Sequence, residues 1–483
     1  MASMSSDLRR PTAATAVSCT ARSGAEPVLG FVLVGGALVG AQIRDIRLAN
    51  ELARRGYRVH VWWAFDRPDD SPLDPRITQH WLFSWSRYAS WGVPAVADLL
   101  GRGAHVLLRE SFRNRFAQTC PGFMARQLRF VLKAVCRGVE SDRRLIRRFA
   151  GELGRYQVTH LLPTIEILAL FARAARNLVP SRPRYLVTFQ GYEVYGMYAR
   201  EIGLEQALFD RLVEVVKDSD WPAIAVSAPY AGRIERELGL DASQLVTIPP
   251  GVPVGDQVNL RQARDAVASQ FPQYRPEIPL VTYIGRQDSE KGLDLLLYAA
   301  RMLKQRGIEL QLAICGPTAF GGAYAQACGQ IAEHLRINVL SRGYITNELR
   351  SALFRASRAV VYPSIHEEPF GMVPVEAMAQ GTPVLVPDLG GVSGLVSAGG
   401  AEGGLRFGCW DSGSLACQLG RLLCDEACHA RLANGAQTVA EHFSVERLGE
   451  RVLTHLDLPE YSPRLSQLLG DSPELEAISA RAA

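Results

Sequence analysis

The sequence predicts an α/β protein of two doubly wound domains, each a parallel sheet between helices, facing one another across a cleft. Three observations predict this. The chain has 483 residues, more than one ordinary core serves. Its first ordered stretch, Val28 to Trp63, reads as strand, glycine turn, helix and strand, the opening of a doubly wound sheet. After the breaker Pro249-Pro250-Gly251-Val252-Pro253, the same alternation begins again.

Taken in order, Val28–Val34 is a continuous apolar strand entering Gly35-Gly36. Ile43, Ile46, Ala49, Leu52 and Ala53 then share one helical face, with Gly56 as the stop. Tyr57–Trp63 is the second strand, and Thr159–Leu162, Tyr185–Phe189 and Ala223–Val226 are short strands of later βα units. In the second half, Leu280–Gly285, Glu309–Cys315, Ala359–Tyr362 and Val384–Pro387 read as strands and Leu293–Gln305 as a helix.

Hydrophobic residues make up 47% and charged residues 21% of the chain, with a formal net charge of +4. That is the balance of a soluble globular protein and gives no argument for a nucleic-acid partner. The nine cysteines are scattered, without Cys-x-x-Cys spacing, and read as buried free thiols of a reducing compartment. The first 26 residues lack the apolar run of a secretory signal. No apolar window is long enough to span a bilayer. A cytoplasmic location is the expectation.

The stretch Tyr362-Pro-Ser-Ile-His-Glu-Glu-Pro-Phe-Gly-Met-Val-Pro-Val-Glu carries the most chemistry. Glu368 falls in a loop beyond a strand's C-terminal end, where open α/β sheets bind ligands. Gly371 lets backbone approach a ligand, and the helix expected from about Met372 offers unpaired N–H groups to an anion. Glu376 lies about one turn into that helix and suits the two vicinal hydroxyls of a ribose. Two glutamates eight residues apart are by themselves an ordinary solvated pair; the Pro-Phe-Gly between them is what singles them out. A second cluster, Gly285-Arg-Gln-Asp-Ser-Glu-Lys-Gly292, puts Arg286 and Lys291 in a strand-to-helix loop suited to a diphosphate. The histidines are dispersed, and His366 reads as a loop neighbour of the site rather than a catalyst.

These segments, with GGALVG, TFQGYE, VSAPYAGRIERELGL, IPPGV, GYITNEL and DLGGV in order, resemble the family 4 glycosyltransferases of the GT-B fold from about Val28 to about Leu456. The resemblance implies a retaining transfer of a hexosyl group from a UDP- or GDP-sugar to an acceptor. It also implies residue roles. Arg286 and Lys291 hold the donor diphosphate, Glu368 contacts the transferred sugar, and Glu376 binds the ribose. Phe370, Gly371, Met372 and Val373 bring backbone amides to the sugar and phosphate, near Gly285, while Gly35 and Gly36 close from the opposite domain. Gln190 stands where many relatives have a histidine, and Pro250 where asparagine is common. The first domain is expected over 27–255 with a returning helix at 443–458, and the donor domain over 256–442. Disordered segments are expected at 1–26 and 459–483.

No metal site and no cofactor are expected. A nucleoside-diphosphate leaving group gains about one negative charge, which fixed cations and a helix terminus can meet. No Asp-x-Asp motif stands in a suitable strand-end loop. Between Arg102 and Arg155, thirteen Lys/Arg stand against four acids, with Phe112, Phe116, Phe123 and Phe130 interleaved. This basic region reads either as a solvated helical insertion or as a peripheral contact with anionic lipid that presents a lipid-linked acceptor. Two other functions stay open beside transfer: a GT-B nucleotide-sugar 2-epimerase, and a catalytically weak nucleotide-sugar-binding subunit.

Overall fold

The computed structural model describes residues 26–35, 40–64, 72–82, 143–201, 203–318 and 322–459. Gly36, the N-terminal segment through residue 25, the basic stretch from 102 to 142 and the tail from 460 lie outside the described residues.

β1 (Val28–Leu33) is buried along its whole length, as a central strand covered on both faces must be. α1 (Gly40–Arg54) packs over it, and the chain turns at Gly56 into β2 (Arg58–Trp63), parallel to β1 with Leu29 opposite Val59. β3 (Thr78–Trp81) forms the edge. α2 (Arg143–Arg155) turns Ile146, Phe149, Ala150 and Leu153 inward at helical spacing and leaves its arginines outside. β4 (His160–Pro163), α3 (Glu166–Arg176) and β5 (Arg184–Tyr185) complete a parallel sheet of order β3-β2-β1-β4-β5.

The run Tyr185–Phe189, read from sequence as one strand, is divided. Tyr185 pairs with Leu161, whereas Thr188 and Phe189 form β6 (Thr188–Phe189) against β7 (Ala223–Ala225). The chain changes its pairing partner midway: Leu186 donates to Leu161, then Ile224 donates to Val187. Between β6 and β7 lie α4 (Glu193–Glu201) and α5 (Glu205–Lys217). α6 (Ala228–Leu238) and β8 (Leu245–Thr247) follow, β8 pairing with β7.

The second half runs α7 (Leu260–Gln270), β9 (Leu280–Ile284), α8 (Leu293–Gln305), β10 (Gln311–Cys315), α9 (Ala323–His334), β11 (Asn338–Arg342), α10 (Asn347–Ala356), β12 (Ala359–Val361), α11 (Met372–Ala379) and β13 (Val384–Pro387). A small antiparallel hairpin, β14 (Ser397–Ala398) with β15 (Ala401–Glu402), precedes β16 (Gly404–Phe407). The sheet is parallel throughout, in the order β11-β10-β9-β12-β13-β16. Its edge strands β11 and β16 are partly exposed, which is why their sequences lack the apolar run that marks the inner strands.

Strand order reverses at β1 in one sheet, between β2 and β4, and at β9 in the other, between β10 and β12. In each sheet the chain leaves neighbouring strands in opposite directions, opening a crevice at their C-terminal ends. Gly35 and Thr164 follow β1 and β4; the Arg286 and Glu368 loops follow β9 and β12.

After α12 (Ser412–Cys424) and α13 (Glu426–His442), the chain returns to the first sheet. Val252 and Phe443 join the halves by a backbone bond of 2.9 Å. α14 (Val445–His455) then buries Leu448, Val452 and Leu453 with Leu48 and Leu52 of α1. Among the described residues, the cysteines are free thiols and no helix is long and apolar enough to cross a membrane.

Candidate active site

The loop after β9 is shaped by two glycines. The Gly285 amide donates to Cys315, which ties the loop to β10. One turn of 3-10 helix, Ser289–Lys291, ends at Gly292 with φ 60°. A Cβ there would run into the Pro363 carbonyl, so the loops after β9 and β12 meet only because that position is glycine. Arg286 and Lys291 are both presented here, in different environments. The Arg286 side chain is 37% exposed and lies 2.9 Å from Asp288.

Lys291 is buried and donates to the carboxylate of Glu368, itself buried. A strand-to-helix loop suited to a diphosphate implies two cations open to solvent; for Lys291 the structure corrects that. Burial opposes the charge on each partner. Tyr362 and Glu368 nevertheless raise the Lys291 ammonium above its ordinary range, and Lys291 holds Glu368 below the usual carboxylate range. Ser364 adds a hydrogen bond of 2.8 Å to the same Glu368 oxygen. Both groups are therefore charged at neutral pH.

Phe370, Gly371, Met372 and Val373 follow directly. The Phe370 ring is buried edge-on against Phe443, so its side chain belongs to the core. Gly371 adopts φ 95° and caps α11 without a side-chain bond. Pro374 is the third helical residue, where its missing N–H costs nothing. Glu376, one turn in, does not stand in open solvent: Arg47 of α1 lies 2.7 Å from one carboxylate oxygen and Arg350 3.4 Å from the other. Arg47 also donates to the Gly251 carbonyl at 3.2 Å and reaches the Met372 sulfur. Neither arginine stood out in the sequence, because an arginine on an amphipathic helix reads as solvated until its partner from another segment is known.

Across the cleft, the Gly35 amide donates to Gln42 at 2.8 Å. That bond engages the amide of one of the two glycines expected to close on the donor from this domain. Gln190 donates through Nε2 to the Thr164 carbonyl at 2.6 Å and to Asp45 at 3.3 Å. Asp45 is fully buried beside Arg44; burial pushes its carboxyl up while Arg44 pulls it down. Both hydrogens of the Gln190 amide thus point into the protein, leaving its carbonyl oxygen to offer a ligand.

Two further contacts bridge the domains near Glu368. Ser227 donates to the Pro369 carbonyl at 2.6 Å. His366 Nε2 lies 3.9 Å from Glu193 of α4, and that carboxylate, followed by Glu368, raises the imidazole above its ordinary 6.5 against the effect of burial. The structure therefore brings Arg286, Lys291 and Glu368 together after β9 and β12. It sets Gln190 and Gly35 on the first domain, and ties Glu376 to both halves.

Residues 269–439 match the family described as Glycosyl transferases group 1. The D-inositol 3-phosphate glycosyltransferase of Nocardia farcinica is 31% identical over 260 residues, covering 53% of this chain and 54% of that protein. The alpha-D-kanosaminyltransferase of Streptomyces kanamyceticus is 30% identical over 175 residues, 36% of this chain and 44% of that protein. The chain thus spans about half the length of the curated relatives it matches.

Among solved structures, Anabaena Alr3699/HepE in complex with UDP and glucose superposes with a TM-score of 0.65 at 18% identity, over 89% of this chain and 100% of that one. Sucrose-phosphate synthase (tll1590) from Thermosynechococcus elongatus gives 0.64 at 19% identity, over 92% and 100%. At such identities the likeness is one of fold, two Rossmann-like domains in the GT-B arrangement. The chain is thus similar in sequence to group 1 glycosyltransferases over residues 269–439, and in fold to two-domain GT-B proteins over most of its length.

Proposed function

We propose that the chain transfers a hexosyl group from a nucleoside-diphosphate sugar to an acceptor hydroxyl with retention of configuration. The observation that carries this reading is the buried Lys291–Glu368 pair with Arg286 beside it, at the switch point of the second sheet and opposite Gln190. Two cations at a strand-end crevice suit a diphosphate, and a charged carboxylate next to them suits the hydroxyls of the moving sugar.

In this reading Arg286 and Lys291 meet the charge that grows on the departing phosphate, in a site already organised for it. The amides at the start of α11 add partial positive charge. Glu376 takes the ribose: a carboxylate has about four lone-pair positions, and two arginines occupy only part of them. The acceptor attacks from the face the leaving group vacates, and the departing phosphate oxygen collects its proton, so a separate base is not required. D-inositol 3-phosphate, which names several curated relatives, is the acceptor to try first, and the kanosaminyl group named in another adds an amino sugar to the donors to try.

The test is to incubate the protein with UDP- and GDP-sugars, with and without acceptors, and to measure nucleotide release and the anomeric form of the product. Release is expected to survive EDTA, because Arg286, Lys291 and the helix terminus supply the positive charge. Abolition by EDTA and rescue by Mn²⁺ would overturn that expectation. A 2-epimer in the product would favour the epimerase, and saturable binding without release the binding subunit.

Gln190 gives a second expected result. A side-chain amide does not titrate near neutral pH, so this loop orients rather than takes a proton. Gln190→Ala is expected to slow transfer about tenfold, the size of a lost positioning hydrogen bond of about 1.4 kcal/mol. Gln190→His, with fewer N–H donors for Thr164 and Asp45, is expected to bring no gain. A large acceleration by histidine would mean that the protein lacks its base.

A further inference from the structure

Arg47 of α1 is a first-domain residue whose side chain ends on the second domain. Its Nη2 donates to Glu376 Oε1 at 2.7 Å, while its Nη1 turns to the Gly251 carbonyl at 3.2 Å and the Met372 sulfur at 3.6 Å. The side chains of Arg47 and Glu376 are only 18% and 11% exposed, so water screens this bond less than it does a surface pair. The same two helices meet again at their first turns, where a Cβ on Gly40 would stand 3.5 Å from the Met372 methyl. From the second domain itself, Arg350 lies 3.4 Å from Glu376 Oε2. Among the described residues, that oxygen has no hydrogen-bond donor.

Gly251 belongs to the crossing between the domains. Its neighbour Val252 is bonded to Phe443 and Val445 of the returning chain at 2.9 and 3.1 Å. Gly251 itself sits so close that a Cβ would lie 2.7 Å from the Val445 Cα. The two crossings therefore run side by side and form the axis about which one half can turn against the other. Such a rotation leaves Gly251 nearly in place and carries Glu376 away from Arg47. One nitrogen of Arg47 is thus held at the axis while the other grips the half that moves. The grip is end-on: one N–H meets one oxygen, and the paired fork that would fill the carboxylate is not used. Glu376 keeps lone-pair positions for a ligand's hydroxyls, in an orientation that Arg47 fixes.

We propose that Arg47 is a positioning residue for the donor: it holds Glu376 in the orientation that takes the ribose hydroxyls, and only while the two domains are together. The inference rests on the assignment of the ribose to Glu376 above and adds a link between ribose binding and domain closure. Each stabilises the other through one shared carboxylate. A nucleotide with both hydroxyls favours the closed arrangement, because its partner is best oriented there, and a nucleotide lacking them does not. In this role Arg47 acts through Glu376 and not on the diphosphate, which separates it from Arg286 and Lys291.

The test measures, by calorimetry on the full chain, the binding of UDP and GDP and of the analogue of each that lacks both ribose hydroxyls. Unfolding curves are taken on the same samples. Arg47→Met keeps the length of the side chain and its packing on Met372 while removing every N–H. It is expected to weaken the preferred nucleotide about tenfold, the size of one lost hydrogen bond to a charged group. The analogue without hydroxyls is expected to bind as it does to the wild type. In a Glu376→Gln background the same substitution is expected to add nothing further. Arg47→Lys, which can still put one N–H on Oε1, is expected to recover most of the loss.

A strut that served only the fold would behave otherwise: Arg47→Met would lower the Tm and weaken nucleotide and analogue equally, or weaken neither. Either result overturns the proposal. So does tighter nucleotide binding by Arg47→Met, which would make Arg47 a competitor for Glu376. If the wild type binds neither nucleotide better than its analogue, the ribose assignment itself fails, and that outcome is read from the wild type before any variant is made.

Discussion

Lys291→Ala is expected to lower the stability of the protein by about 3–5 kcal/mol, besides abolishing turnover, because it leaves the Glu368 carboxylate buried without its counter-ion. The loss is read in urea or thermal unfolding. Its pH dependence has a definite sign. In the wild type, Lys291 holds the Glu368 carboxyl below its ordinary 4.5. The stability this contributes is present above that value and is lost as the pH falls through the lowered one. In Lys291→Ala only burial remains as the main influence, and burial raises the carboxyl. The variant therefore gains stability on acidification over the range in which Glu368 takes up its proton. Replacing both partners by apolar residues, Lys291→Met with Glu368→Leu, is expected to restore much of the stability and none of the turnover. A single variant that unfolds like the wild type at every pH would show that the pair is not buried as described.

Arg286→Ala is expected to be the kinetic counterpart. The side chain is 37% exposed and its ion-pair partners lie in its own loop, so the fold depends on it far less. Losing one charge contact made in the transition state costs about 2.7–4 kcal/mol, a fall in kcat of about 10²–10³-fold. Arg286→Lys should lie between the two, since an ammonium supplies the charge but not the planar fork that grips two oxygens at once. Steady-state nucleotide release, with unfolding curves on the same samples, separates the two effects. Near-normal turnover in Arg286→Ala would remove the diphosphate assignment.

Much of the framework is written locally. β1 and β13 are uninterrupted apolar runs and β9 is broken only by Thr282, and a buried parallel strand needs little more to be recognised. The Pro-Phe-Gly-Met segment marks its own turn and helix start, because Gly371 must adopt a positive φ and Pro374 is tolerated only in a first turn. Edge strands β11 and β16 and the split at Tyr185–Phe189 escaped this reading. Their pattern depends on which neighbour pairs with them, and that is a long-range choice.

The amino-acid order alone thus determined two restarted βα alternations, the family resemblance, and the loops that carry Arg286, Lys291, Glu368 and Glu376. Only the tertiary structure decided the state of those groups. Lys291 became a buried ion rather than an open cation because the loops after β9 and β12 converge at Gly292. Glu376 acquired Arg47, which stands 329 positions earlier in the chain, because α1 packs against the start of α11. Glu166 reads as one more polar residue opening a helix until the fold removes it from water and gives it no partner. The reason is the same in each case. A side chain's type is a local fact, whereas its charge state and hydrogen-bond partners depend on burial and neighbours that only the folded chain supplies.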